Sequence, residues 1–205
     1  MEQIFVIAIL IMSIVVHEIS HGYVALILGD STAKNAGRLT LNPISHLDPI
    51  GSVLVPLIMS FTGGIIFGWA KPVPYNPYNL KNQKWGPALV GIAGPVSNFA
   101  VALLFGLMIR YSGFLFFLPS SFFQIAVLIV QVNLVLGVFN LMPIPPLDGS
   151  KVLFSILHYI APSRWYEIQT FLEGYGMFLL LAFIFFFSSY VFPISFWLFR
   201  IIVGA

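Results

Sequence analysis

Four long apolar runs constrain what this sequence of 205 residues can fold into. A helix that crosses a bilayer needs about 20 mostly apolar residues, and a soluble fold of this size could not bury four such runs. Composition agrees, because 59% of the residues are hydrophobic and only 8% are charged, whereas roughly a quarter are charged in soluble proteins. We therefore predict an all-α polytopic membrane protein, with a single integral-membrane domain over residues 1–205 and spans at about 4–28, 88–111, 122–141 and 177–199.

Charge and cysteine content exclude several classes of site and partner. The formal net charge is only +2 and no basic run is long enough to form a binding patch, so we expect no nucleic-acid partner. The chain has no cysteine, which excludes disulfides and thiolate-ligated metals. The first apolar run follows no basic segment and precedes no small-residue cleavage site, so we expect a retained helix and not a signal peptide.

The apolar stretch at residues 50–69 is broken by glycine and proline, and its topology is ambiguous. If it does not cross the bilayer, seven basic residues lie on one side and two on the other, whereas a crossing leaves five against four. The positive-inside rule therefore favours a re-entrant or membrane-surface element over about residues 40–72, with the N-terminus outside. The seven are Lys34, Arg38, Lys71, Lys81, Lys84, Lys151 and Arg164, and the two are Arg110 and Arg200.

A cluster of ionisable residues, HEISH, interrupts the first span. His17 and His21 are four residues apart, so a helix places both imidazoles on one face. In the HExxH arrangement two neutral imidazoles bind zinc, and the glutamate, which is not a ligand, accepts a proton from water that the zinc acidifies. The pattern predicts one zinc ion per chain, with His17 and His21 as ligands and Glu18 as the catalytic base.

A structural role is the alternative for these groups, which could hydrogen-bond to neighbouring helices. Ionisable side chains at bilayer depth cost about 3 kcal/mol each on insertion scales, and they mark functional sites by default. We therefore favour zinc catalysis over a structural role.

A catalytic zinc site needs a third protein ligand from elsewhere in the chain. The favoured candidate is Asp148 in LMPIPPLDGS, where prolines end the helix after the third span and can turn an acid inward. In the topology above the first and third spans run in the same direction, so the two histidines and Asp148 share the inner half of the membrane. His46 and Asp48 stay open as alternatives. The other acids and histidines considered are Glu2, Asp30, Glu167, Glu173 and His158.

Three motifs occur in order along the chain: HEISHG on the first span, GIAGPVSN on the second, and FNLMPIPPLDG after the third. Together they resemble the site-2 protease family of intramembrane zinc metalloproteases, over about residues 16–151. The resemblance implies His17, His21 and Asp148 as zinc ligands and Glu18 as the base. It also implies a core of three transmembrane helices with a membrane-associated β-element after the first. The chain looks like a minimal member with a C-terminal helix, since it has no PDZ-like or nucleotide-binding domain.

Two asparagines in these motifs are candidates for contact with substrate. Asn98 and Asn140 could bind the substrate backbone or stabilise a tetrahedral oxyanion, and the resemblance implies that both lie near the active site. Alternatively, each forms hydrogen bonds between helices, as small polar residues in membranes commonly do. For His46 and Asp48 in NPISHLDP we favour a structural role, because loops rich in Asn, Asp and Pro are mostly turns.

The function expected from these residues is zinc-dependent cleavage of a peptide bond in or near the transmembrane segment of a membrane-anchored protein. By resemblance, substrates are single-pass regulators whose cleavage releases a signalling or transcription-regulating fragment. We expect an integral protein of a prokaryotic plasma membrane, with its active site toward the cytoplasm. The alternatives are a zinc transporter or metal-dependent scaffold, and an endopeptidase that acts on soluble tails.

Overall fold

The computed structural model describes residues 2–48, 71–114 and 117–204. These ranges form an all-helical structure without a strand, which confirms the predicted fold class. The element predicted at residues 50–69 lies outside the described residues. The α-helices are α1 (Glu2–Ile27), α2 (Thr32–Asn35), α3 (Gly86–Arg110), α4 (Ser120–Asn140), α5 (Gly149–Ile160), α6 (Trp165–Gly174) and α7 (Gly176–Val203).

Within the described ranges, three helices are long and apolar enough to cross a bilayer: α1 over Phe5–Ile27, α3 and α4. Their bounds lie within two residues of the predicted spans. The C-terminal helix α7 follows α6 at a bend of 67°, and counting this pair as one broken span gives four. The sequence predicted the apolar helix but not the bend.

The three spanning helices form an antiparallel bundle. His21 of α1 lies beside Val90 of α3, and His17 lies one turn further along, beside Asn98. Helix α4 runs antiparallel to α3 and therefore parallel to α1. The ends of α1 and α4 thus meet the start of α3 at one end of the bundle, which we name the Asp148 end, and the opposite end is the Arg110 end.

A buried carboxylate organises the connection between α1 and α3. Asp30, just beyond α1, accepts hydrogen bonds from the backbone N–H and hydroxyl of Thr32, the backbone N–H of Asn76 and the amide of Asn79. Nearby, the backbone N–H of Lys71 donates to the carbonyl of His46 at 2.9 Å. The two described flanks of the connection are therefore held together at the Asp148 end.

The Arg110 end of the bundle is apolar. Ala102 of α3 and Val130 and Leu134 of α4 are fully or almost fully buried, and partly buried side chains of α7 pack against them. Gly106 lets α7 approach α3, because a Cβ at this position would overlap Ile202. Small residues at a helix contact let backbones approach closely, which is how helices pack in lipid.

Candidate metal centre

The HEISH sequence lies on α1 where that helix faces α3. His17 and His21 are each only 6% exposed, and their rings are 4.7 Å apart between centroids. Glu18, on the adjacent face, is half-buried. A spacing of four residues brings the imidazoles together as the helical period requires.

Asp148 joins the two histidines from a distant part of the chain. Helix α4 ends at Asn140, the proline-rich turn follows, and Asp148 immediately precedes α5. Its Oδ2 lies 2.9 Å from Nε2 of His17 and 3.1 Å from Nε2 of His21, and the two Nε2 atoms are 3.1 Å apart. Among the described residues, these three form the group of His, Asp and Glu whose ligand atoms are close enough to share a metal ion.

The hydrogen bonds on the far side of each ring determine which atoms face the centre. Nδ1 of His21 lies 2.6 Å from the carbonyl oxygen of Val90, which can only accept, so Nδ1 carries the proton. Nδ1 of His17 lies 2.6 Å from Oδ1 of Asn98, with the same consequence. Both Nε2 atoms then present lone pairs toward a carboxylate oxygen. Three acceptors converge with no proton between them, an arrangement that fits a bound cation.

Glycines on α3 make room for this centre. A Cβ at Gly94 would lie 2.5 Å from Nε2 of both His17 and His21. A Cβ at Gly91 would lie 3.0 Å from the backbone oxygen of Asp148 and 2.9 Å from Cβ of Lys151. The first glycine therefore keeps space beside the imidazoles, and the second lets the Asp148 segment pack against α3.

Lys151 binds the second oxygen of Asp148. Its Nζ donates to Oδ1 at 2.8 Å and lies 5.6 Å from the centre of the Tyr75 ring. Burial disfavours the ammonium, but the charge of Asp148 outweighs it and raises the pKa of Lys151 above its ordinary value. The two oxygens of the carboxylate therefore have different partners: Oδ1 binds the ammonium, and Oδ2 faces the imidazoles.

Glu18 contacts the segment that precedes α3. Its Oε2 accepts a hydrogen bond from the backbone N–H of Val73 at 2.8 Å. This bond fixes the orientation of the carboxylate and connects α1 to the segment that begins at residue 71.

The other predicted site residues have different surroundings. Asn98 is fully buried, and its amide nitrogen donates to Oδ1 of Asn133 while its oxygen faces His17. Asn140 donates to the backbone oxygen of Leu136 one turn earlier in α4. His46 is buried, with Nε2 2.9 Å from the backbone oxygen of Thr40, as expected of a residue in a turn.

Three residues around the centre were not anticipated: Ser13, Asn133 and Lys151. Ser13 and Asn133 are polar residues within apolar spans, the same signal that drew attention to HEISH. Asn133 also lies seven residues before Asn140, on the same face of α4. Lys151 is one turn beyond Asp148 at the start of α5, where an i,i+3 ion pair is possible.

A cavity of about 960 Å³ lies at the Asp148 end. Lys151 lines it, and so do Tyr75 and the prolines of the turn that carries Asp148. Aromatic residues of α6 form the opposite wall. The cavity thus reaches the ammonium that binds Asp148.

Comparison with known proteins identifies the family. The sequence model of peptidase family M50 matches residues 116–183. The protein named "Putative zinc metalloprotease YwhC" from Bacillus subtilis is 40% identical over 178 residues, covering 84% of this chain and 76% of the relative. The chain belongs to peptidase family M50, the site-2 protease family.

Other relatives of this M50 protein carry related names. "Putative zinc metalloprotease Rip2" from Mycolicibacterium smegmatis is 32% identical over 160 residues, which cover 73% of this chain and 56% of that protein. "Putative zinc metalloprotease MJ0611" from Methanocaldococcus jannaschii is 34% identical over 100 residues, about half of each chain. No solved structure matches. The M50 protein is therefore a zinc metalloendopeptidase and an integral membrane protein, as the sequence predicted.

Proposed function

We propose that this M50 protein cleaves a peptide bond in or near the transmembrane segment of a membrane-anchored protein. His17, His21 and Asp148 would hold zinc, and Glu18 would be the catalytic base. The observation that carries the proposal is the convergence of three buried acceptor atoms beside Glu18. The donor set of two imidazoles and one carboxylate is typical of catalytic zinc sites.

Each residue of the site has a separate role in hydrolysis. When bound, zinc acts as a Lewis acid that polarises the substrate carbonyl and acidifies water. Glu18 takes the proton of the attacking water and passes it to the leaving amine, as a general base and then a general acid. The bond from the backbone N–H of Val73 keeps the carboxylate oriented for both transfers. Lys151 holds Oδ1 of Asp148, so that Oδ2 stays beside the two imidazoles, where the ion would bind.

Depth supports cleavage within the membrane. His17 lies ten residues before the end of α1 at Ile27, and at about 1.5 Å per residue this is about 15 Å along the helix. The hydrocarbon core of a bilayer is about 30 Å thick, so the centre lies well inside it. A peptide bond that reaches this depth belongs to a membrane-embedded segment and not to a free soluble tail.

The cavity at the Asp148 end is our candidate route for water and for the unwound substrate. It is lined by Lys151 on the side nearest the centre. In the other direction, the row of buried polar side chains that continues from His17 among the described residues ends at Asn133 and Ser13, and the adjoining cluster of Ala102, Val130 and Leu134 has no polar side chain. A transporter needs a polar pathway on both sides of its metal, so this arrangement favours the protease.

The proposal includes the orientation of the protein in the membrane and its biological role. The seven basic residues counted above belong to segments at the Asp148 end, whereas Arg110 lies at the opposite end. By the positive-inside rule, the Asp148 end faces the cytoplasm of a prokaryotic cell. We propose that substrates are single-pass regulators whose cleavage releases a signalling or transcription-regulating fragment.

The decisive experiment combines metal analysis with cleavage in proteoliposomes. Glu18→Gln should retain one zinc per chain and lose cleavage of a membrane-anchored substrate, because the amide cannot accept the proton. His17→Ala and Asp148→Ala should lose zinc as well as activity. A second substrate, with its only cleavable site in a soluble tail, should remain intact. Turnover by Glu18→Gln, or full zinc occupancy in Asp148→Ala, would contradict the assignment.

Orientation can be tested separately because the chain has no cysteine. Lys84→Cys reports on the Asp148 end and Ser120→Cys on the Arg110 end, and both native residues are exposed. An impermeant maleimide added to intact cells should label Ser120→Cys and spare Lys84→Cys until the membrane is opened. The reverse pattern would place the metal centre toward the outside.

A further inference from the structure

A row of buried polar side chains runs from His17 into the centre of the bundle. Oδ1 of Asn98 lies 2.6 Å from Nδ1 of His17, and Nδ2 of Asn98 donates to Oδ1 of Asn133 at 2.8 Å. Nδ2 of Asn133 donates to the hydroxyl of Ser13 and to the backbone oxygen of Ile129, both at 2.9 Å. Asn98 and Asn133 are fully buried, so water cannot replace these bonds.

Two backbone oxygens determine the direction of the hydrogen bonds along this row: that of Ile129, 2.9 Å from Nδ2 of Asn133, and that of Ser13, at a longer 3.4 Å from Nδ2 of Asn98. The backbone oxygen of Ile129 can only accept, so the NH₂ group of Asn133 must face it, which turns Oδ1 of Asn133 toward Asn98. Asn98 must then present its own NH₂ group to Asn133 and its oxygen to His17. An oxygen at that position requires a proton on Nδ1 of His17, which leaves Nε2 with a lone pair.

We propose that Asn133 is a positioning residue that selects the tautomer of His17 through Asn98, and so keeps Nε2 free to bind the metal. The inference rests on the proposed metal site, but it concerns a property of the protein without metal. If Asn133 were apolar, the amide of Asn98 would lose its 2.8 Å acceptor and keep only the longer 3.4 Å contact to the backbone oxygen of Ser13. A reversed amide would donate to Nδ1 of His17, and the proton would move to Nε2, where it blocks metal binding.

Ser13 provides the matched control. Its hydroxyl is a second acceptor for Nδ2 of Asn133, but the oxygen of Ile129 stays in place without it. Ser13→Ala should therefore remove one hydrogen bond of the row and leave the orientation of both asparagine amides unchanged. If the row only held helices together, Ser13→Ala and Asn133→Leu would both act through stability and neither would change the tautomer.

The first measurement is ¹⁵N NMR of metal-free, ¹⁵N-histidine-labelled protein, with the pH raised until the His17 signals are those of a neutral imidazole. The His17 signals are assigned by their loss in His17→Gln. Wild type and Ser13→Ala should carry the His17 proton on Nδ1, and Asn133→Leu should shift it wholly or partly to Nε2. Asn133→Ala repeats the test if the leucine variant does not fold. A Nδ1 proton retained in either folded variant would overturn the proposal.

The second measurement is zinc affinity by competition with a chelator. Asn133→Leu should bind zinc about 10-fold more weakly, at the low end of effects known for residues that orient metal ligands, and Ser13→Ala should stay within about 2-fold of wild type. Leu134→Ala, a buried apolar neighbour, controls for lost stability and should change neither readout. Equal zinc affinity in Asn133→Leu and wild type would overturn the link to the metal. If wild type did not bind zinc, but Asn133→Leu still moved the His17 proton to Nε2, the metal site would be refuted and the role of Asn133 in selecting the tautomer would stand.

Discussion

Helices α3 and α4 contribute to two different interiors along their length. Toward the Asp148 end, the side chains of Asn98 and Asn133 form direct hydrogen bonds that connect His17 with Ser13. Toward the Arg110 end, the same helices meet through Ala102, Val130 and Leu134, with no polar group in the cluster. The polar interior is stabilised by hydrogen bonds, which require a donor or an acceptor at each position. The apolar interior is stabilised by close packing, which requires side chains of matching shape.

The difference reflects what can hold helices together in lipid. Lipid chains are as apolar as leucine, so burying an apolar face between helices gains little from the hydrophobic effect. The Arg110 end therefore uses close packing, with glycine at Gly106 against α7. The Asp148 end buries polar groups, which cost free energy unless each has a partner. Substitutions at this end that displace or reorient the two imidazoles or Asp148 should affect metal binding, and those at the other end should affect stability.

The largest effect is expected from Gly94→Ala. The new Cβ would lie 2.5 Å from both Nε2 atoms, so the imidazoles must be displaced from their present positions. Zinc affinity should fall by about 100-fold, the upper range for disturbed ligand orientation, as measured by chelator competition. The matched control is Gly106→Ala, whose Cβ meets the γ2 methyl of Ile202 and should leave zinc binding intact. Similar zinc affinities in the two variants would refute the functional division between the two interiors.

A smaller effect is expected from Lys151→Met. Without the ammonium, Oδ1 of Asp148 loses its 2.8 Å partner and the carboxylate can rotate. Zinc affinity should fall about 10-fold, and Lys151→Arg should restore most of it, because a guanidinium can also donate to Oδ1. Lys84→Met, which removes an exposed charge from the wall of the same cavity, is the control. A loss equal to that of Lys151→Met in this control would indicate a general effect of charge.

Leu134→Ala tests the apolar interior. Leu134 is 1% exposed and lies next to Asn133 on α4. Its truncation should lower the free energy of unfolding by about 2 kcal/mol, mainly through the cavity that it leaves. Thermal unfolding in detergent should show the loss, and metal analysis should still find one zinc per chain. Loss of zinc from the folded variant would mean that the two interiors are coupled.

The smallest effect concerns Asp30, outside both interiors. Burial would raise its pKa, but hydrogen bonds from Thr32, Asn79 and the backbone of Asn76 outweigh burial and lower the pKa below its ordinary value. A carboxyl group with a lowered pKa stabilises the fold above its unfolded-state pKa, about 3.9, and this stability is lost as the pH falls through the folded-state pKa. The unfolding temperature should therefore fall more steeply below about pH 4 in wild type than in Asp30→Asn. Parallel profiles would contradict this role.

The features predictable from sequence are those set by local periodicity and composition. Apolar runs of about 20 residues predict helices because backbone groups in lipid must be paired within the segment, and the observed bounds of α1, α3 and α4 differ by at most two residues. The spacing of His17 and His21 places both rings on one face of the helix, and this follows from helix periodicity alone. The 67° bend between α6 and α7 was not predicted, although Gly174 and Gly176, which flank the break, disfavour a continuous helix.

What required the tertiary structure is the set of contacts between residues far apart in the chain. Asp148 lies 131 residues from His17, and Asn133 lies 120 residues from Ser13. Sequence could propose Asp148 from its depth, but the division of its two oxygens between Lys151 and the imidazoles depends on how α5 packs against α3. The direction of the Asn98–Asn133 hydrogen bonds depends on two backbone oxygens, Ile129 of α4 and Ser13 of α1. Helix periodicity is a local property of the chain, whereas the choice of hydrogen-bond partners follows from packing, and packing exists only in the folded bundle.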